Sequence, residues 1–437
     1  MNPEEMLTKL ERVLSPQQVI TSDLCSACEV DGRRPSIVAR PQDAGEVGEL
    51  LALCSREGWG VIPWGSGTQM GIGNIPRRYD VALDLGALDE IVDYDAPNLT
   101  LTAGAGCTLR ALQELVEGKR QLLPLDPPAA ERATLGGVVA ANAFGPSRLR
   151  YGAARDIVLG MQVALANGEV IDVGGKTVKN VAGYDLTRAF IGSYGTLGVI
   201  TRVTCRLFPM PPERRWMLIG FDRAGDAFAF VQQVLDSVLL PTSLDLVQGR
   251  VVPNRSDVSL WGVIGLEGTP EVIQRQYRDL SAMAASVQAR HVEQLADEEP
   301  EGQQIRRLVQ DMPAVSPEPL VVRLYVPISA VGSLWSAVQH LEAEGQASLN
   351  LLARPGLGVL YLMAQARDAH LSLIASTLQS LAGEMGGHAI IERIPAEHKV
   401  HLDVWGTPRS DWPLMQALKA RFDPAGILSP GRFIGRL

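Results

Sequence analysis

The sequence predicts an α+β protein with two domains, and three observations carry that expectation. Between residues 36 and 212, short β-branched runs alternate with amphipathic stretches and are punctuated by glycine clusters. From 213 to 395 a β-α-β-β-α-β series occurs twice, the order of a ferredoxin-like antiparallel unit. Between them lies Phe208-Pro-Met-Pro-Pro212, and proline cannot donate to a strand ladder, so the run marks a boundary. A segment 1–35 precedes the first domain and a segment 396–437 follows the second.

In order, residues 1–14 hold a short helix and 36–39 a strand. Asp43 opens a helix with Glu46 at capping-box spacing, and Val47, Leu50, Leu51 and Cys54 form one apolar face. Strands follow at 61–64, 81–85 and 99–103. Gly104-Ala-Gly106 turns into a helix with Leu109, Leu112 and Val116 on one side, closed by Gly118 as a left-handed cap. Residues 134–142, a glycine pair feeding small residues, read as a helix packed hard against something flat. Asn167-Gly168 signals a hairpin between 156–166 and 169–173. Asp185 is expected to cap a short helix, and 199–207 to form a β-branched strand.

In the second domain, strands are expected at 216–221, 243–247, 258–266 and 288–294, with helices at 225–239 and 271–286. Residues 296–319 read as a polar, acidic connector. Strands at 320–326, 347–352, 358–363 and 388–394 and helices at 330–344 and 369–384 repeat the series. Leu414, Leu418 and Phe422 mark a last amphipathic helix. The Pro/Gly-rich run 422–433 then reads as a rigid tail fitted against another surface.

Composition excludes several classes. The 437 residues are 46% hydrophobic and 20% charged, as in ordinary soluble domains. A net charge of −9 argues against non-specific nucleic-acid binding. No uninterrupted apolar run approaches the roughly 18 residues of a membrane span. The start, Met-Asn-Pro-Glu-Glu, has no signal-peptide core, so the expected location is the cytoplasm. Cys25-Ser-Ala-Cys28 is a lone pair lacking the second pair a zinc site needs, and no metal is expected.

The stretch richest in chemistry is Pro63-Trp-Gly-Ser-Gly-Thr-Gln-Met-Gly-Ile-Gly73, directly after the apolar pair Val61-Ile62. Glycines let backbone N–H groups converge into an anion nest, whose common occupant is a diphosphate. Gly-Lys-Ser/Thr is absent, and Met70 stands where a third Rossmann glycine belongs, so neither familiar phosphate motif applies. The loop has no Asp or Glu to repel an anion.

With Pro63–Gly73 come further blocks in fixed order. These are Ala103-Gly-Ala-Gly106, Thr134-Leu-Gly-Gly137, Tyr151-Gly152 with Asp156, Gly183-Tyr-Asp-Leu186, Gly192-Ser-Tyr-Gly-Thr-Leu-Gly198 and Pro430-Gly431. The set resembles the FAD-binding fold of the vanillyl-alcohol oxidase and p-cresol methylhydroxylase superfamily. Within it, Lys176-Thr-Val-Lys-Asn-Val-Ala-Gly-Tyr-Asp-Leu186 and Asp423-Pro-Ala-Gly426 are similar to the FAD-binding E subunits of bacterial glycolate oxidases. The resemblance implies a two-lobed FAD-binding domain of p-cresol methylhydroxylase type at 36–212. It also implies an α+β cap of ferredoxin-like units at 213–395, and a segment 396–437 that returns to the FAD domain.

The same resemblance assigns residues. Pro63, Trp64, Gly65, Ser66, Gly67, Thr68, Gln69 and Met70 would hold the pyrophosphate. Thr134, Gly136, Gly137, Ala140, Asn142, Tyr151 and Gly152 would line the flavin and ribityl chain, with Pro127 and Asp156 beside them. Gly195, Gly198, Val199 and Ile200 would run along the cofactor. Many superfamily members tether the flavin to His or Cys. None of the six histidines here precedes His291, and Cys107 is the one thiol near a motif, so non-covalent FAD is expected.

Relatives that oxidise 2-hydroxy acids carry late His-rich motifs, and a Glu where this chain has Tyr194. His398-Lys-Val-His401 is the compact alternative. Lys179 and Arg432 are equal contenders for a cation at the flavin pyrimidine edge, where charge tunes the cofactor. The resemblance implies an FAD-binding subunit of a glycolate (2-hydroxy-acid) oxidase complex, with a catalytic flavoprotein subunit and an iron–sulfur subunit as partners. Peripheral membrane association of that complex stays open. A self-sufficient FAD-dependent 2-hydroxy-acid dehydrogenase and a redox-inactive FAD-binding scaffold are the alternatives.

Overall fold

The computed structural model describes residues 3–437 except 22–23, 176–184, 250–251, 253–254, 256–257, 344 and 346. A first sheet runs in the order Val19–Ile20, Ile37–Ala39, Val81–Asp84, Val61–Trp64, its last three strands parallel. The crossover helix Ala44–Glu57 starts where Asp43 accepts from the Glu46 N–H at 2.9 Å and ends at left-handed Gly58. Glu46 does not close the capping box on Asp43. Its carboxylate instead accepts from the Gln42 N–H and the Gln18 side chain.

A second, antiparallel sheet has the order Ile91–Asp95, Thr100–Gly104, Val199–Arg206, Val158–Ala164, Val170–Gly174. The last two strands form the Asn167-Gly168 hairpin. One strand is unexpected, and two local expectations need correction. Ile91–Asp95 is a strand that the sequence pattern hides, because its residues are exposed or half-buried and show no apolar alternation. Gly118 ends the helix Leu109–Glu117 at φ −58°, and Arg120 takes the left-handed conformation instead. Asp185 does not cap Thr187–Phe190; it pairs with Arg188 at 2.7 Å.

Besides a two-stranded pairing of Gln121–Leu122 with Phe208–Pro209, the largest sheet has eight strands. Each half runs β-α-β-β-α-β with its strands in the spatial order fourth, first, third, second. The halves join where Ser243–Gln248 pairs antiparallel with Ala347–Arg354. Helices Ala224–Leu235, Pro270–Ser286, Val331–Ala343 and Asp368–Glu384 bury Phe230, Leu280, Trp335 and Ile374 on one face. The other face, with Trp216, Trp261 and Tyr361, packs on Phe144 of the first domain and on a helix at Pro300–Val315. That helix replaces the expected polar connector. Its Ile305, Val309 and Met312 make a narrow apolar stripe among charges, enough to seat it against the sheet.

The C-terminal tail returns to the first sheet. Leu428 bridges Val61 in parallel, and Val61 N–H donates to Ile427 while Ser429 N–H donates to Val61. Buried Lys419 secures this return by donating to Asp423, to the Thr196 carbonyl and to the Leu428 carbonyl at 2.6, 2.9 and 2.8 Å. Among the described residues no helix is long and apolar enough to cross a membrane.

Candidate functional site

The glycine loop leaves the carboxyl end of Val61–Trp64, and Gly195–Ile200 enters the second sheet opposite it. The helix Leu135–Ala141, with Thr134 as its N-cap, closes the cleft between them. This cleft holds about 820 Å³ of empty space including its mouth. It is lined by Pro63, Trp64, Gly65, Ser66, Gly67, Thr68, Gln69, Met70, Thr134, Gly136, Gly137, Ala140, Gly195, Gly198, Val199 and Ile200. Sequence reasoning missed Leu85, Ala105, Tyr194 and Ser429, which also line it. The Ala103–Gly106 and Pro430-Gly431 blocks flank two of these and are the signals that point to them.

Two glycines show why no other residue serves. A Cβ on Gly65 would stand 2.3 Å from Thr134 Oγ1, so the bare backbone of the loop lies against the threonine that caps the helix. Gly67 has φ +78°, and a Cβ there would meet the Trp64 ring at 3.2 Å. Trp64 therefore lies against its own loop.

The polarity of the loop follows from where its backbone groups go. Arg432 Nη2 donates to the carbonyls of Met70 and Ile72 at 2.7 and 2.5 Å. Lys399 Nζ donates to those of Gly71 and Gly73 at 2.9 and 3.2 Å, and to Asp31 at 2.7 Å. Two buried cations thus hold the carbonyls of 70–73. Among the described residues, no carbonyl accepts from the N–H groups of Ser66, Gly67, Thr68 or Gln69. No carboxylate is among the described lining residues, and Arg432 Nη1 is buried without a partner. Burial lowers the pKa of Lys399, opposed by Asp31, and burial likewise lowers that of Arg432. Free donors, one unpaired cationic N–H and no competing acid fit a diphosphate.

Several sequence-assigned residues lie elsewhere. Tyr151 donates to Glu267 of the eight-stranded sheet at 2.5 Å and packs edge-on to Phe208, so it faces away from the cleft. Asp156 accepts from the Ala153 N–H and fills the space beside Gly152, so the pair builds a turn. Pro127 gives its carbonyl to Gln310, and Asn142 is the left-handed cap of Leu135–Ala141, outside the cleft lining. His398 is held through both ring nitrogens, by Ser372 at 2.7 Å and Asp368 at 3.0 Å. Neither it nor His401 lines the cleft. Arg432 does line it, as a clamp on the loop; Lys179 lies outside the described residues.

A second cavity adjoins the loop on the sheet side. Thr68, Gln69 and Gly71 form one wall, and Arg323, Tyr361, Glu392 and Arg393 form the other. Arg323 is buried, 3.1 Å from Glu392, with its guanidinium 5.5 Å from the Phe144 ring centre. Burial raises the pKa of Tyr194, which stands nearby.

Two family models match the chain: "FAD binding domain" over residues 35–174, and "FAD linked oxidases, C-terminal domain" over 210–394 and 407–433. The chain belongs to the FAD-linked oxidases. It is an FAD-dependent oxidoreductase, and the nest at 66–69 lies inside the matched FAD-binding segment. A curated relative of this FAD-linked oxidase is "Glycolate oxidase subunit GlcD" of Bacillus subtilis, 28% identical over 92% of this chain and 89% of the relative. Another is "D-lactate dehydrogenase" of Archaeoglobus fulgidus, 29% identical over 92% of each. The structure of p-cresol methylhydroxylase with substrate bound superposes with a TM-score of 0.77 at 14% identity, over 98% of this chain and 96% of that one. Alkyldihydroxyacetonephosphate synthase gives 0.74 at 17%, over 98% and 85%. At such identities the likeness concerns the fold, a p-cresol methylhydroxylase-type FAD domain with an α+β cap.

Proposed function

We propose that this FAD-linked oxidase is the FAD-binding subunit of a glycolate or related 2-hydroxy-acid oxidoreductase complex, working with a catalytic flavoprotein subunit and an iron–sulfur subunit. In this reading, residues 36–212 and the returning tail hold the cofactor and 213–395 cap it. The relatives named for glycolate oxidase and D-lactate dehydrogenase support the substrate class.

Bound FAD supplies the two-electron chemistry. The N–H groups of Ser66–Gln69 hold its diphosphate, Arg432 Nη1 gives the cleft its positive charge, and the small residues of 136–140 admit a flat ring. The observation that carries the subunit reading is the lack of a base. Oxidising a hydroxyl needs a proton acceptor within reach, and no histidine is among the described residues lining the cleft or the adjoining cavity. Glu392, the carboxylate there, is engaged by Arg323.

The test is a steady-state assay of the lone, flavin-loaded chain with glycolate or D-lactate and a redox dye. Turnover is expected to be negligible alone and to appear on co-expression with the flavoprotein and iron–sulfur partners. The Arg323–Tyr361 cavity favours one second reading, a self-sufficient dehydrogenase whose substrate carboxylate is held by Arg323. Robust turnover by the lone chain, lost in Arg323→Ala, would establish it.

A further inference from the structure

A large groove lies behind Tyr194, with about 2320 Å³ of empty space including its mouth. Ala141 and Tyr194 line both this groove and the cofactor cleft, so the two spaces adjoin at these residues. Tyr194 is held with φ +53°, packed edge-on to Trp405 at 4.7 Å, with its N–H on the Ala140 carbonyl. Arg155, Arg188, Arg323 and Arg409 line the groove, and Asp411 is the sole carboxylate among its described lining residues. In a chain of net charge −9 this reverses the local sign.

Arg323 is engaged by Glu392 at 3.1 Å, while Arg409 stands 3.9 Å from the exposed Asp411, so the charge open to a ligand rests on Arg155, Arg188 and Arg409. Among the described residues Arg155 has no ion pair, and the Arg188–Asp185 pair is exposed on both sides and weakly held. Arg409 donates to His388 Nδ1 at 3.1 Å. His388 stacks on Tyr325, and burial together with Arg409 and Arg323 lowers its pKa to about 4, so it adds no charge near neutrality.

We propose that this groove docks an acidic polypeptide segment of the redox partner and so brings the partner beside the cofactor cleft. The proposal rests on the partner-subunit reading above. The positive charge is spread over walls from both domains and the tail, which favours a chain segment over a single small anion. Exchange of electrons there obeys simple stoichiometry: each reduced flavin yields two electrons with their accompanying protons, and one-electron acceptors take them singly.

The experiment uses the full, flavin-loaded chain and a fluorescein-labelled oligo-glutamate peptide as probe. Anisotropy should show binding that weakens as salt rises from about 20 to about 300 mM. Arg155→Glu/Arg409→Glu should weaken it about tenfold or more, whereas Arg275→Glu, an exposed reversal outside the groove, should not. After anaerobic reduction with dithionite, the peptide should slow reoxidation by hexacyanoferrate(III), two ions per flavin, and leave a neutral quinone unaffected. Equal peptide binding by wild type and the double variant overturns the proposal. Faster reaction with hexacyanoferrate without peptide binding also overturns it, leaving only a small-anion site. A chain that never carries flavin would sink the functional reading instead, and the peptide titration would still report on the groove.

Discussion

Lys399 Nζ lies 2.7 Å from Asp31 Oδ1 and 2.9 Å from the Gly71 carbonyl, with the lysine side chain 1% exposed. A residue from the first segment and one from the last thus meet beneath the glycine loop and fix the direction of its peptides. Removing one member of such a buried pair leaves the other charged and unsolvated, at a cost of roughly 3–5 kcal/mol. Lys399→Met is expected to lower the melting temperature and weaken FAD binding at least about tenfold. Adding Asp31→Asn should recover part of the stability but not the flavin. Flavin fluorescence titration beside thermal unfolding separates the two effects, and unchanged FAD affinity in the single variant would refute the clamp.

Gly67→Val should abolish flavin occupancy while the cap still unfolds cooperatively. A β-branched side chain at φ +78° is strained, and its Cβ would press on the Trp64 ring. The absorbance of the purified variant decides; full occupancy would show that the loop is only a turn.

The flavin should leave on denaturation. Cys107, the thiol closest to a motif, is buried with its Sγ against the Glu90 carbonyl at 3.7 Å, and burial pushes its pKa up to about 11. It does not line the cleft. After acid precipitation the yellow colour is expected in the supernatant, and colour in the pellet would reveal a covalent link.

Stability should fall as pH rises through the range set by Asp245. This carboxylate is fully buried 3.3 Å from Arg354 Nε, and burial raises its pKa to about 7 against the attraction of Arg354. Asp126, raised by burial to about 6, adds to the effect. A raised folded-state pKa means the folded chain keeps a proton that the unfolded chain has released. The associated stability is full below the ordinary carboxylate range and is lost as pH climbs to about 7. Asp245→Asn should therefore gain on wild type in melting temperature between pH 5 and 8. Parallel profiles would exclude this site as the source.

Much of this was legible in the sequence, for identifiable reasons. Glycines at 65 and 67 announce close packing and a positive φ, and Thr134 before small residues announces a capped helix. The twofold β-α-β-β-α-β series gives the sheet its strand order without any long-range information. What stayed hidden is charge inside the protein. Asp31, Lys399, Lys419 and Arg354 look like surface residues in a string of letters, because such side chains are rarely buried unpaired and their partners lie far along the chain. Tyr151 lies outside the cleft lining for a related reason: its neighbours Gly152 and Asp156 form a turn, and turn residues resemble ligand residues in composition. The helix Pro300–Val315 was missed because charges outnumber its narrow apolar stripe.

The bond from Arg432 to the Met70 carbonyl spans 362 residues of chain. On the ribosome, the loop at 65–73 emerges long before its arginine exists. Until then its carbonyls have no cation to turn toward, and the N–H groups of 66–69 have no fixed bearing. If this cleft holds the flavin, its capture waits on residues 428–432, whose strand-like pairing and arginine close a site with walls that were synthesised first.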